Sequence, residues 1–198
     1  MAKFNLRYTV AVGVIILCAM VLGETTSTVA TCLAVNYPPS AGLWGGMGAA
    51  VALVFANLGS AYGTAKAGVG VCHLACAAPD RIMRGIVPVV MAGILGIYGL
   101  IVAVIINNNI HTEDNKYSTF AAFMHLGAGC ATGFASLAAG LAIGIVGDTS
   151  VRAYAKQEKI FVAMILMLIF GEALGLYGLI IALLMNNKAT KYGDLCPV

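Results

Sequence analysis

The stretch LGIYGLIVA at residues 95–103 returns as LGLYGLIIA at residues 174–182, so that residue n of the first is answered by residue n + 79. Asn107-Asn108 and Asn186-Asn187 keep the same offset. So do Phe55, Ala56 and Leu58 with Phe134, Ala135 and Leu137. A match this long and free of gaps reads as an internal duplication. It divides the chain into residues 42–118 and residues 119–198, with residues 1–41 ahead of both. Each copy holds two apolar segments, and an even number of segments per copy makes the repeat parallel rather than inverted.

The composition says where those segments belong. Of 198 residues, 61% are hydrophobic and 10% charged, whereas about a quarter of an average soluble domain is charged. A chain this short cannot hide so much apolar surface in its own core. Residues 42–71, 82–106, 120–146 and 160–185 are apolar runs, each longer than the ~20 residues a spanning helix needs. The expected fold class is therefore all-α integral membrane, built as two tandem transmembrane helical hairpins with four helices. A shorter apolar run, residues 8–23, follows Lys3 and Arg7. It reads equally as a signal peptide and as an extra helix.

Several function classes drop out. The net charge is +3 with no basic run long enough for nucleic acid, and no phosphate-binding G-x-x-x-x-G-K-[ST] loop occurs. Cys72-His73-x-x-Cys76 has neither the C-x-x-C spacing nor a second pair, so no metal and no cofactor is expected. The cations give an orientation. With the loops after residues 71 and 146 placed in the cytoplasm, Lys3, Arg7, Lys66, Arg81, Arg84, Arg152, Lys156 and Lys159 lie on that side. Lys116, Lys188 and Lys191 lie opposite, a positive-inside pattern. Cys32 and Cys196 then share the lumenal or external side, and a disulfide between them stays open.

One acid stands apart. Seven of the eight Asp and Glu residues fall in polar breaks or near helix ends, and Glu172 falls near the middle of the last apolar run. An ionised acid at the bilayer centre costs at least ~2.5–3.5 kcal/mol, and such residues mark ion or proton paths. No basic residue lies at similar depth. Since burial disfavours the charged form, the position suits a group that loads and unloads a proton. The bland alternative is a neutral Glu that only bonds a neighbouring helix. At the same place in the first copy stands Gly93, so one copy keeps the acid and the other lacks it.

The surroundings favour H⁺ over Na⁺, which needs several oxygen ligands. On the same helix only the Tyr177 hydroxyl is a candidate, and Met91, Ala92, Gly93, Ile94 and Ile97 at matching depth carry no side-chain oxygen. Gly171 and Gly175 flank Glu172 and leave room for a helix or another subunit. His125 is expected near the membrane interface and Lys66 is expected to snorkel to the cytoplasmic face. The first helix of each hairpin is rich in small residues four apart: Gly59 and Gly63, Gly129 and Gly133, Gly140 and Gly144. That spacing lines one helix face and lets backbones approach closely. A monomeric carrier or pore would show polar groups on several helices at one depth. Glu172 is the one such group the sequence singles out; a membrane carrier or pore with Glu172 as its ion-binding group, and a purely structural four-span protein, stand as the alternatives.

Longer motifs carry a family resemblance. GSAYGTAK at residues 59–66, IVPVVMAGI at 86–94, HLGAG at 125–129, LAAG at 137–140, AIGIVGD at 142–148 and the run 161–183 around Glu172 resemble the c-type proteolipid subunits of vacuolar-type proton-translocating ATPases. The resemblance covers about residues 42–185. It implies a four-helix subunit in a rotor ring of proteolipids, with glycine-rich helices inside and the acid-bearing helix outside. Glu172 maps onto the family's proton carrier. The implied partners are other proteolipid subunits, the stator's a subunit with its essential arginine, the central stalk's d subunit, and membrane lipid. The implied place is a vacuolar or other acidic endomembrane compartment, and ATP hydrolysis belongs to other subunits. Gly171 departs from the usual alanine or serine, and residues 1–41 extend the usual N-terminus. An acid at Glu172 with Gly93 in the first hairpin fits the c or c′ type rather than c″.

Overall fold

The computed structural model describes residues 38, 40–110 and 117–191. The apolar run at 8–23, Cys32 and Cys196 lie outside the described residues. Five helices follow one another: α1 (Ala41–Ala77), the short α2 (Ile82–Gly85), α3 (Val87–Asn109), α4 (Thr119–Lys156) and α5 (Ile160–Lys191). Grouped as spans, these make four helices long and apolar enough to cross a membrane, as the sequence predicts.

The helix ends follow local chemistry. Ala78 is extended ahead of Pro79, which stops α1 and opens a 3₁₀ turn through Arg81. Pro88 has no N–H to offer the carbonyl of Arg84, so the backbone tightens at Ile86 between α2 and α3. Both Val89 N and Val90 N donate to Ile86 O there, at 3.0 and 3.2 Å. Ser118 caps α4, its Oγ accepting from Ala121 N at 3.2 Å.

Two helices outrun their apolar segments. At 1.5 Å per residue, the 37 residues of α1 and 38 of α4 reach ~55 Å, well past a hydrocarbon core of ~30 Å. The polar residues 148–156, expected as part of a break, are instead the last turns of α4. Hydropathy marks where lipid ends; backbone hydrogen bonding carries the helix on.

The centre of the fold is the α1–α4 contact, the most extensive between any two helices. The buried positions of α1 from Ala41 through Gly70 are all Ala or Gly, spaced three or four apart. A Cβ on Gly59 would lie 2.6 Å from Ser136 O, and one on Gly48 2.5 Å from His125 O. Gly129 meets Gly48, Gly140 meets Gly59, and Gly144 meets Gly63. These pairs share one numerical offset, 81 residues, so the two helices run parallel. Phe55 and Phe134, equivalent in the repeat, touch across the seam with ring centroids 4.9 Å apart. The helices α3 and α5 flank the seam. Leu95, Ile143, Met164 and Leu168 fill the core toward the α1–α2 and α4–α5 turns, and Val102, Ile106 and Ala182 fill it further along α3 and α5.

Candidate functional site

Glu172 occupies the core-facing side of α5, one turn after buried Leu168, and is 7% exposed. Its Oε1 accepts a 2.7 Å hydrogen bond from the Tyr98 hydroxyl of α3. Its Oε2 is buried with no hydrogen-bond partner among the described residues. The ion pairs among those residues lie elsewhere: Asp148 with Lys66 and Arg152, and Arg81 with Glu158. An ionised Glu172 in this setting is a buried charge with no counter-ion, which is strongly unfavourable. The neutral acid, held through one oxygen, is the form the geometry accommodates.

The flanking glycines make this setting possible. A Cβ on Gly171 would come 3.0 Å from Ile143 Cγ1 of α4. One on Gly175 would come 2.7 Å from Leu95 Cδ2, with Ala139 and Tyr98 close behind. Both glycines thus admit side chains of the chain's own α3 and α4. Gly93, the counterpart of Glu172, has nothing within 4 Å of where its Cβ would lie.

Tyr98 is the site residue that depth matching along the sequence misses. The matched window ends at Ile97, and Tyr98 stands five residues beyond the counterpart position. Five residues are ~7.5 Å of helix rise, a gap a phenol can bridge. Tyr177, the oxygen expected at the site, is 61% exposed on the outer face of α5. With Tyr98 added, the carboxyl has one further side-chain oxygen in hydrogen-bond contact, still short of the several that Na⁺ would need.

Other polar groups also lie along this stretch of the bundle. Exposed Asn57 and half-buried Ser60 of α1 would place Oδ1 and Oγ 2.9 and 3.4 Å from a Cβ on Gly96, while Thr132 and Ser136 of α4 are fully buried. Glu172 is therefore not the one polar group at mid-depth; it is the one acid. Thr132 escapes notice in a sequence because its hydroxyl turns to a backbone carbonyl, Gly178 O, at 3.4 Å.

Two further clusters cap the ends. Near the α4–α5 turn Asp148, buried in α4, meets Arg152 Nε at 2.7 Å and Lys66 Nζ of α1 at 3.6 Å. Lys66 thus bends to an acid of another helix, its side chain still 44% exposed. On the opposite side His125 is 1% exposed rather than at an open interface. Its Nδ1 shares a 2.6 Å hydrogen bond with the Tyr117 hydroxyl, while Nε2 makes none of good geometry among the described residues. Nearby Asn109 Nδ2 donates to Asn186 Oδ1 at 2.8 Å. Burial pushes the Tyr117 phenol up to about 12. Among the described residues no group of three or more His, Cys, Asp or Glu side chains is placed to hold a metal.

Comparison with known proteins bears on this geometry. A family model, that of the ATP synthase C subunit, matches residues 47–106 and again residues 126–185. The two matches are themselves offset by the spacing of the repeat and together cover more than half of the chain. The V-type proton ATPase 16 kDa proteolipid subunit of Chrysotila carterae is 59% identical over 154 residues, 76% of this chain and 94% of that protein. The V-type proton ATPase 16 kDa proteolipid c subunit of Homo sapiens is 52% identical over 151 residues, 76% of this chain and 96% of that protein. The V-type proton ATPase c subunit of Candida tropicalis is 50% identical, over 78% of this chain and 94% of that protein.

Proposed function

From the premise that this chain belongs to the ATP synthase C subunit family, as a proteolipid of the V-type proton ATPase kind, we propose that Glu172 is the proton carrier of a rotor ring. The chain is an integral membrane component without catalytic activity of its own. The duplicated hairpins, residues 42–118 and 119–198, would be its two structural units, the second bearing the working acid.

Neutral Glu172, bonded to Tyr98, would ride through lipid with the ring. At the stator, the a subunit in this reading, an arginine would supply the counter-charge that none of the described residues brings to Glu172 and favour the ionised form. The carboxyl would give its proton to a lumenal half-channel and take another from a cytoplasmic one, one proton per passage. The d subunit would couple the ring to ATP hydrolysis elsewhere in the complex. The compartment acidified would be vacuolar or another endomembrane lumen.

The single observation that supports this reading most is the partner inventory of Glu172: buried, one oxygen on a tyrosine, the other without a hydrogen-bond partner among the described residues. Glu172→Gln keeps the shape and removes the titration. In the assembled complex it is expected to abolish ATP-driven acidification while the ring still forms, and carbodiimide is expected to label the native chain but not the variant. Acidification at native rate by Glu172→Gln would refute the proposal.

A further inference from the structure

A second buried titratable group, His125 of α4, has no part in the proton cycle described above. Gly171, beside Glu172, packs against Ile143 of α4, which lies ~27 Å of helix rise from His125. Four parts of the chain converge on the imidazole. Tyr117, from the residues just ahead of α4, shares a 2.6 Å hydrogen bond with Nδ1, and the two rings stack at 5.7 Å with 24° between their planes. Tyr117 fills the space left by Gly45 of α1, where a Cβ would collide with its hydroxyl and meet Ile110, just past α3, at 3.1 Å. Asn186 of α5 reaches the imidazole as well, while its Oδ1 accepts from Asn109 of α3 at 2.8 Å.

This setting suits a neutral ring. A neutral imidazole offers one donor and one acceptor, and a phenol can answer either. Protonation makes both nitrogens donors and adds a charge. Among the described residues, the groups that face the ring bring no anion to balance it. Tyr117 is a phenol, α1 brings Gly45 and Gly48, and α3 and α5 bring the amides Asn109 and Asn186. The nearby Lys188 of α5 is exposed, and the ion pairs of the described residues lie elsewhere. A charge buried without a partner is strongly unfavourable, so a protonated ring is accommodated where water can reach it.

We propose that His125 is an acid-sensitive latch on this end of the bundle. Neutral, it ties the Tyr117 segment, and through it the start of α1, to α4 and α5. Protonated, it turns toward water and lets Tyr117 leave its seat on Gly45. The latch is separate from Glu172 and needs no part of the pump reading. Two groups of one chain then answer to protons by different means: Glu172 carries one, and His125 changes the packing where it binds one. Histidine is the side chain suited to such a switch, because its charge changes between about pH 5 and pH 8.

The chain carries its own reporter. Trp44, its single tryptophan, stands next to Gly45 and packs on Phe123 of α4 with ring centroids 5.6 Å apart. The test titrates the purified full chain in detergent from about pH 8 to about pH 4. Trp44 emission is expected to fall and shift to the red along a reversible one-proton curve. His125→Gln is expected to lose that curve, while Glu172→Gln and His111→Gln keep it. A curve that persists in His125→Gln, or vanishes in Glu172→Gln or His111→Gln, overturns the proposal, as does a flat response of the native chain. Because a substitution in the core can disturb folding, the native chain supplies a second reading. Amide hydrogen exchange over residues 117–128, corrected for its intrinsic pH dependence, is expected to quicken severalfold on acidification, and exchange around Asp148 is expected to stay as it was. No change over residues 117–128, or an equal change at both ends, overturns the latch.

Discussion

Tyr98 donates to Glu172 across the contact of α3 with α5, Oη to Oε1 at 2.7 Å. The first hairpin has no acid at the matching position, but it supplies the group that holds the acid of the second. The duplication has therefore produced two unlike halves of one site: a donor from one copy and a proton-bearing carboxyl from the other.

Removal of the hydroxyl tests the division. A net hydrogen bond contributes about 1 kcal/mol, close to a fivefold change in an equilibrium. Tyr98→Phe is expected to free the carboxyl and raise carbodiimide labelling of Glu172 about fivefold, measured as a rate in detergent. Tyr177→Phe is expected to leave that rate unchanged, because its phenol points away from the site. Labelling that responds to Tyr177 and ignores Tyr98 contradicts the geometry.

The α1–α4 seam makes a separate stability prediction. A Cβ at Gly59 meets the Ser136 carbonyl at 2.6 Å, whereas one at Gly68 meets nothing within 4 Å. Overpacking of this kind costs about 1–3 kcal/mol, and here the obstacle is backbone that cannot rotate aside. Gly59→Ala is expected to lower the unfolding temperature in detergent by several degrees. Gly68→Ala is expected to leave it unchanged or raise it slightly, since alanine is the better helix former. Equal effects at the two sites would show that the seam is looser than its contacts imply.

Much of this is legible in the sequence, for identifiable reasons. The four spans follow from apolar length, and the close seam follows from glycines four apart, because both are local patterns. Glu172 stands out because a charge in hydrocarbon is costly whatever surrounds it. Tyr98 is illegible because an apolar-looking aromatic gains its meaning from a partner 74 residues away. Asp148 reads as part of a polar break for the same reason: its partner Lys66 and the Gly70 it packs against belong to a different helix. The offset of 79 locates the copies, yet it does not tell which face of each copy is covered.

Asp148 therefore carries a prediction of its own. It joins α1 to α4 through Lys66 at 3.6 Å and braces its own helix through Arg152 at 2.7 Å. Both cations are more than two-fifths exposed, so solvent screens the pairs and the coupling should be modest, about 0.5–1 kcal/mol. A double-mutant cycle between Lys66→Met and Asp148→Asn, read by thermal unfolding in detergent, is expected to return that coupling at low salt. It should shrink as salt rises toward 1 M. A null coupling at low salt would mean the 3.6 Å contact contributes nothing to the seam.

The far end of the bundle is expected to show a different pH signature. Tyr117 packs against Gly45 and shares a proton with His125, and burial pushes its phenol up from 10.0 to about 12. The native state thus holds the neutral phenol more tightly than the unfolded chain does. The sign follows from linkage: this contribution is fully present below pH 10 and is lost as pH rises from about 10 to about 12. The phenol is partly open to solvent, so the expected loss is about 1 kcal/mol, less than the full shift would imply. Thermal unfolding in detergent at intervals from pH 9 to pH 12 measures it as the difference between the native chain and Tyr117→Phe. The variant should be less stable at pH 9, where the hydrogen bond to His125 is missing, and the two curves should converge by pH 12. Curves that stay parallel across that range would show that the phenol titrates no differently in the folded chain.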